Sequence, residues 1–193
     1  MQGRRIILPG LIMLFATGFA FGQSESLKNV VNNLAFYPQK KDLKYLDNAK
    51  KSVDSLIKVS ADTLNVENNV YKALVYSGIL YADTLNKLKQ PASLLPQTSA
   101  LVDRLSATRR ISAYDDEITY AKQCLANVYL RRAFAYMNNS DFNNALQLFE
   151  EVQKYVPSFK PLKVYIAYSN NKLGNLHAAA KYYTDLISAD STK

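Results

Sequence analysis

Few residues in this chain are equipped for chemistry. His177 is the only histidine, so a histidine-based triad has one possible base and a metal site built from several histidines is excluded. It sits between Leu176 and Ala178, just past the Gly174-Asn175 turn and on the polar side of a helix, and it reads as a solvated surface residue. Asp115, Asp116 and Glu117 could supply a carboxylate pair of the kind that hydrolyses glycosides. Adjacent helical residues point in different directions, however, and acids at a helix start are favoured by the macrodipole without any catalytic duty. Cys124 is the only cysteine. It shares a helical face with Ala121, Leu125 and Val128 and reads as a small buried hydrophobe, with an intermolecular bridge as the other reading. The chain has no glycine-rich phosphate loop, and these residues predict no catalytic site, no cofactor and no metal.

The elements that would position such residues begin after an apparent export signal. Arg4 and Arg5 form a basic start, Ile6 to Phe21 is almost wholly apolar, and Ala20-Phe21-Gly22 has the small-x-small pattern of a signal-peptidase site. Residues 1–22 are therefore expected to be removed, leaving a domain of residues 23–193 that begins at Gln23. A spanning helix needs about 20 apolar residues, and this run is shorter and broken by Pro9-Gly10; an uncleaved anchor is the alternative. No cysteine follows the cut to carry a lipid. The expected location is outside the cytoplasm, periplasmic or extracellular, with no stable membrane span after cleavage. The full chain carries a net charge of +8, and losing Arg4 and Arg5 leaves 22 basic against 16 acidic residues, or +6. Lys40, Lys41, Lys44, Lys50 and Lys51 cluster, interrupted by Asp42 and Asp47. The cluster is either a solvated helix face or a patch for acidic partners. The intervening acids and the lack of any nucleic-acid motif favour the solvated face and argue against nucleic acid as a partner.

The last third of the chain repeats itself. Ala133, Ser140, Phe142, Ala145, Phe149 and Val152 recur 34 positions later as Ala167, Gly174, Leu176, Ala179, Tyr183 and Leu186. Phe142, Ala145, Leu146, Phe149 and Val152 form one helical stripe, with Asn143, Asn144, Gln147, Glu150 and Lys154 opposite. Ser140 is placed to cap that helix and Pro157 to end it. In the second copy Leu173-Gly174-Asn175 supplies the turn, while Lys163 and Asn170 make the first helix less regular. Earlier, Leu27 to Phe36 predicts a helix stopped before Pro38. Asp42 to Ser60 predicts a second, with Leu46, Ala49, Val53 and Leu56 at the same internal spacing as the later stripe. Asn68 to about Leu88 predicts the next, in which Gly78 points to close helix packing. Gln90 to Gln97, with Pro91 and Pro96, reads as a long loop that is inserted, mobile or partner-touching. Thr98 to Arg110 and Asp115 to Asn138 complete the helices.

The period and its contents resemble the tetratricopeptide repeat (TPR), whose pattern is W-x2-L-G-x2-Y, then A-x3-F, then P. Tyr129, Ala133, Tyr136, Ala145, Phe149 and Pro157 fall in register, and only Arg132, at the leucine position, departs. Leu74, Ser77, Gly78 and Tyr81 fall on the W, L, G and Y positions of an earlier unit. The clearest copies are 126–159 and 160–193, and the chain as a whole resembles exported bacterial tetratricopeptide proteins. The resemblance implies an all-α fold, an α-α solenoid of about 3.5 to 4 stacked hairpins in a right-handed superhelix. It also implies a non-enzymatic binding scaffold or assembly adaptor of the cell envelope. The concave positions would be Asn127, Leu130, Phe134, Met137 and Asn138 in one hairpin and Pro161, Val164, Tyr168, Asn171 and Lys172 in the next, holding a protein or peptide partner. Leu130 and Phe134 stand where a clamp for a terminal carboxylate would need polar residues, so that activity is not carried over. Two uses of Leu130, Phe134 and Tyr168 stay open: a groove for a hydrophobic peptide or helix, or packing within the superhelix. An all-α cell-wall enzyme using Glu117 or Asp115 is the reading from another class. Self-association through an uncapped last repeat, exposing Tyr183 and Ile187, is also expected.

Overall fold

A computed structural model describes residues 25–58 and 64–190 of the protein. Among these residues there are eight α-helices and no strand: α1 (Glu25–Lys40), α2 (Leu43–Leu56), α3 (Val66–Ala82), α4 (Leu94–Ser106), α5 (Asp115–Asn138), α6 (Phe142–Tyr155), α7 (Leu162–Lys172) and α8 (Leu176–Asp190). The expected export segment and its Gln23 cleavage point lie outside the described residues, and α2 ends at Leu56 with Ile57 as its cap, short of the expected Ser60. No described helix is long and apolar enough to cross a membrane. Helices adjacent in sequence pack side by side, α1 on α2, α2 on α3, α3 on α4, α6 on α7 and α7 on α8. This is the neighbour-on-neighbour packing of a helical repeat. Contacts separate the chain into two compact units, one through Cys124 and the other from Leu125, so the boundary falls inside α5.

In the first unit the apolar residues of α1 and α2 recur at helical spacing and are buried: Leu27, Val30 and Leu34 on one, Leu46, Ala49 and Val53 on the other. They pack with Leu74, Val75 and Ile79 of α3, a helix buried on nearly every side. Helix α1 runs through Pro38 instead of stopping before it. So close to the helix end a proline forfeits only its own N–H bond, and the exit comes at Lys41, which takes a left-handed φ of 54° and donates its N–H to Tyr37 O at 2.8 Å. Asp42 then caps α2, accepting from the Lys44 N–H at 2.9 Å. The lysine cluster is laced with acids, Lys44 on Asp42, Lys51 on Asp47 and Lys50 on Asp54. Asp54 also accepts the Tyr76 hydroxyl at 2.6 Å, a polar tie between α2 and α3.

Three further expectations in this unit need correction. Helix α3 ends at Ala82, not Leu88, because the Asp83 carboxylate accepts the N–H groups of Lys87 (2.8 Å) and Leu88 (2.7 Å) and winds the chain into turns. Asn86 and Lys89 take the left-handed conformation there, and Asn86 bonds Gln90 through both ends of its amide. Gln90 to Gln97 is correspondingly not one long loop: α4 starts at Leu94, buries Leu94 and Leu95, and holds Pro96 in its first turn, where the missing N–H is harmless. Nor is Gly78 pressed against a neighbour. A methyl group there would meet only Leu46 Cδ2, at 3.8 Å, an ordinary contact.

The second unit contains the repeat, and its geometry repeats as well. Helix ends fall at Asn138 and Lys172, and the next helices start at Phe142 and Leu176, in each case 34 residues apart. Both hairpins turn through a left-handed residue, Ser140 (φ 60°) and Gly174 (φ 77°). The turn hydrogen bonds coincide too. Ser140 N–H donates to Met137 O and Asp141 N–H to Tyr136 O, each at 3.0 Å; Gly174 N–H donates to Asn171 O at 3.1 Å and Asn175 N–H to Asn170 O at 2.9 Å. Each pair is a Schellman motif, which satisfies the last carbonyls of one helix while aiming the next. Ser140 is therefore the turn residue and not the cap. The cap of α6 is Asp141, which accepts the Asn144 N–H at 3.2 Å.

Candidate functional site

The residues expected to face a concave groove divide into two groups. On α5, Asn127 and Leu130 are buried, and Phe134 and Met137 are half-buried, leaving Asn138 exposed. Phe134 is engaged edge-on by Phe149 (centroids 5.6 Å) and Tyr165 (4.7 Å), and Tyr165 stacks on Phe149 at 5.8 Å. These three rings are the seam between α5, α6 and α7. On α7 the picture reverses. Val164 and Tyr168 are 46% and 40% exposed, Pro161 is half-buried, and Asn171 and Lys172 are exposed. Tyr168 leans edge-on against Phe142 of α6, 5.9 Å between centroids, and the Lys172 ammonium stands 5.5 Å from the centroid of the Tyr168 ring. An aromatic face, an isopropyl group, an amide and an amine thus stand together on one open side of α7.

The sequence did not single out Tyr165, which decides the outcome. It occupies the first-helix position that covers Phe149, and its aromatic ring one helical turn before Tyr168 was the available signal. Asn170, at a position where the pattern has tyrosine, serves the turn: it is buried, donates to Ile166 O at 3.0 Å and accepts from the Asn175 side chain at 3.2 Å.

No protein-family model, curated protein or solved structure matches this chain.

Of the other candidates, His177 is exposed. Cys124 is buried, outside any disulfide, beside Tyr120, which hydrogen-bonds to it. Burial above all pushes the Tyr120 hydroxyl up, with Cys124, Tyr37 and Tyr81 adding to it. Asp115 and Asp116 are exposed at the start of α5, whereas Glu117 is half-buried and its carboxyl is raised, first by desolvation and then by Asp116. Glu117 and Glu67 both act on Tyr71 and Tyr114, and Tyr71 is pushed up to about 12, mainly by its own burial. Glu67 and Tyr114, with Leu64, Asn65 and Val66, line a shallow depression of about 440 Å³. Among the described residues no group of three or more histidine, cysteine or acidic side chains could hold a metal ion.

Proposed function

We propose that this protein is a tetratricopeptide-type binding scaffold of the bacterial cell envelope, holding a partner peptide or helix on the open side of α7. The observation that carries the reading is the cluster of Val164, Tyr168, Asn171 and Lys172. Two exposed apolar side chains lie beside an amide and an amine, on the first helix of a hairpin that repeats its predecessor in helix ends and turn hydrogen bonds. Tyrosine suits such a surface because it offers apolar area and a hydroxyl at small entropic cost. The partner segment has apolar side chains for Val164 and Tyr168 and a carbonyl or carboxylate for Asn171 and Lys172. Export rests on the basic, apolar and small-x-small order of residues 1–22. The enzyme alternative has less support, since Asp115 and Asp116 face solvent and Glu117 is set among tyrosines.

A photoreactive residue in place of Tyr168, in cells producing the full chain, tests the reading. A discrete crosslinked partner that disappears on Val164→Asp is expected. Background capture alone, from a variant with normal circular dichroism, would sink it.

A further inference from the structure

Helix α8 carries a second apolar surface, distinct from the α7 cluster. Leu176 and Ile187 are 66% and 68% exposed and Tyr183 is 38% exposed, with Ala180 exposed between them. Spacings of 4, 3 and 4 residues place all four on one stripe. Two of the equivalent positions one repeat earlier are covered by the next helix. Phe149, the counterpart of Tyr183, is wholly buried under Tyr165, and Phe142, the counterpart of Leu176, meets Tyr168. In α6 this face is closed by the helix that follows. Among the described residues no helix follows α8.

We infer that a second copy of the chain closes this face, α8 against α8 in antiparallel register about a two-fold axis between Lys181 and Tyr182. The stripe is complementary to itself in that register. Leu176 of each copy meets Ile187 of the other, and the small Ala180 meets the large Tyr183, so protrusions face recesses. Lys181 lies off the stripe, and Asp185 is engaged by Lys163 at 3.6 Å. Helix α8 holds one lysine and two aspartates, close to balance in a chain of net charge +8, so mutual repulsion at this face is weak. A head-to-tail contact lacks an apolar stripe of this kind on α1, where Phe36, 46% exposed, is the one large apolar residue among exposed Lys28, Asn29, Asn32, Gln39 and Lys40. Pairing along one helix of 15 residues covers on the order of 1,000 Å² in total, the lower edge of specific interfaces, so the dimer is weak and reversible. A two-fold contact also closes on itself and does not grow into fibres.

Sedimentation equilibrium of the purified full-chain product over roughly 10 to 500 µM, spanning weak dissociation constants, tests this. The average mass is expected to rise from monomer towards dimer, and Leu176→Asp with Ile187→Asp to weaken association at least tenfold while leaving circular dichroism unchanged. Register is read by oxidation. The Leu176→Cys/Ile187→Cys double variant is expected to form an interchain disulfide, and each single variant not, since each residue stands about 16 Å of helix from its own copy in the partner. A monomer throughout, a dimer indifferent to the two aspartates, open-ended oligomers, or efficient crosslinking by Leu176→Cys alone would each overturn the inference.

Discussion

Truncating Phe149 and Tyr183 to alanine should give unequal losses, although the two residues occupy one position of the repeat. Phe149 is wholly buried, with Phe134 edge-on at 5.6 Å and Tyr165 stacked at 5.8 Å. Removing a buried phenylalanine ring forfeits its transfer free energy and leaves a cavity that its neighbours fill only in part, about 3 to 5 kcal/mol. That is a large share of the roughly 5 to 15 kcal/mol that stabilises a typical domain. Tyr183 is 38% exposed and opens to solvent, so its loss creates no closed cavity and sacrifices only part of a large side chain's burial, about 1 to 2 kcal/mol. Urea denaturation followed by far-ultraviolet circular dichroism, at a concentration low enough to keep the protein monomeric, measures both as shifts in midpoint at unchanged slope. Losses within about 0.5 kcal/mol of each other would refute the claim that α7 covers α6 in a way nothing among the described residues covers α8.

Other substitutions probe the backbone and the electrostatics. Ser140→Gly should stabilise by about 0.5 to 1 kcal/mol, because serine bears a left-handed φ of 60°, while Gly174→Ala at φ 77° should cost about 1 kcal/mol although its new methyl meets nothing within 4 Å. Thermal melts of both variants with opposite signs are the expected result. Gly78→Ala should stabilise α3 by about 0.5 to 1 kcal/mol, since the added methyl finds only an ordinary 3.8 Å contact; a lowered melting temperature would mean the helices are closer there than described. Glu117 has a raised folded-state pKa, so its contribution to stability is complete below the unfolded value and declines as pH rises through the folded one. Glu117→Gln should therefore raise the melting temperature at pH 7, with the gain fading as the solution is acidified below the ordinary carboxylate range. Tyr165→Ala should lower stability by about 3 kcal/mol whereas Tyr168→Ala should cost less than half as much and abolish crosslinking from a photoreactive residue placed at Asn171, a separation read by melting and capture on the same variants.

The legible parts of this fold were those governed by local chemistry. Asp115 and Asn138 bound α5 as expected, because acids favour a helix start and the Asn-Asn-Ser-Asp run supplies a turn. Gly174 marked its own turn, and the period of 34 carried the same geometry back to Ser140, where the residue alone would have read as a cap. What went unseen depended on side chains reaching across several residues. Asp83 stops α3 by accepting two N–H groups downstream, with no glycine or proline to announce it. Pro38 announced a stop too early, since a proline near a helix end removes one bond while Lys41 provides the exit. The candidate groove divided for a similar reason. Leu130, Phe134, Val164 and Tyr168 share a face by periodicity, but which of them stays open depends on the next helix, and Tyr165 covers only the first hairpin's share.

That division follows from the physics of a repeat. A hairpin cannot bury its outer stripe alone, so each first helix must cover the previous hairpin with one side and is left with another side to spare. In α7 the covering side is Tyr165 on Phe134 and Phe149, and the spare side is Val164, Tyr168, Asn171 and Lys172. On the proposed scaffold role, stability and recognition fall to different faces of a helix of 11 residues. The spare side is free to vary in chemistry without loss of the fold, while the covering side is held to aromatic residues by the rings beneath it. Helix α8 has no such division of labour: Leu176 and Tyr183 repeat the two positions that α7 meets on α6, Phe142 and Phe149, and with Ile187 they leave an open apolar face whose cost the inferred pairing would offset.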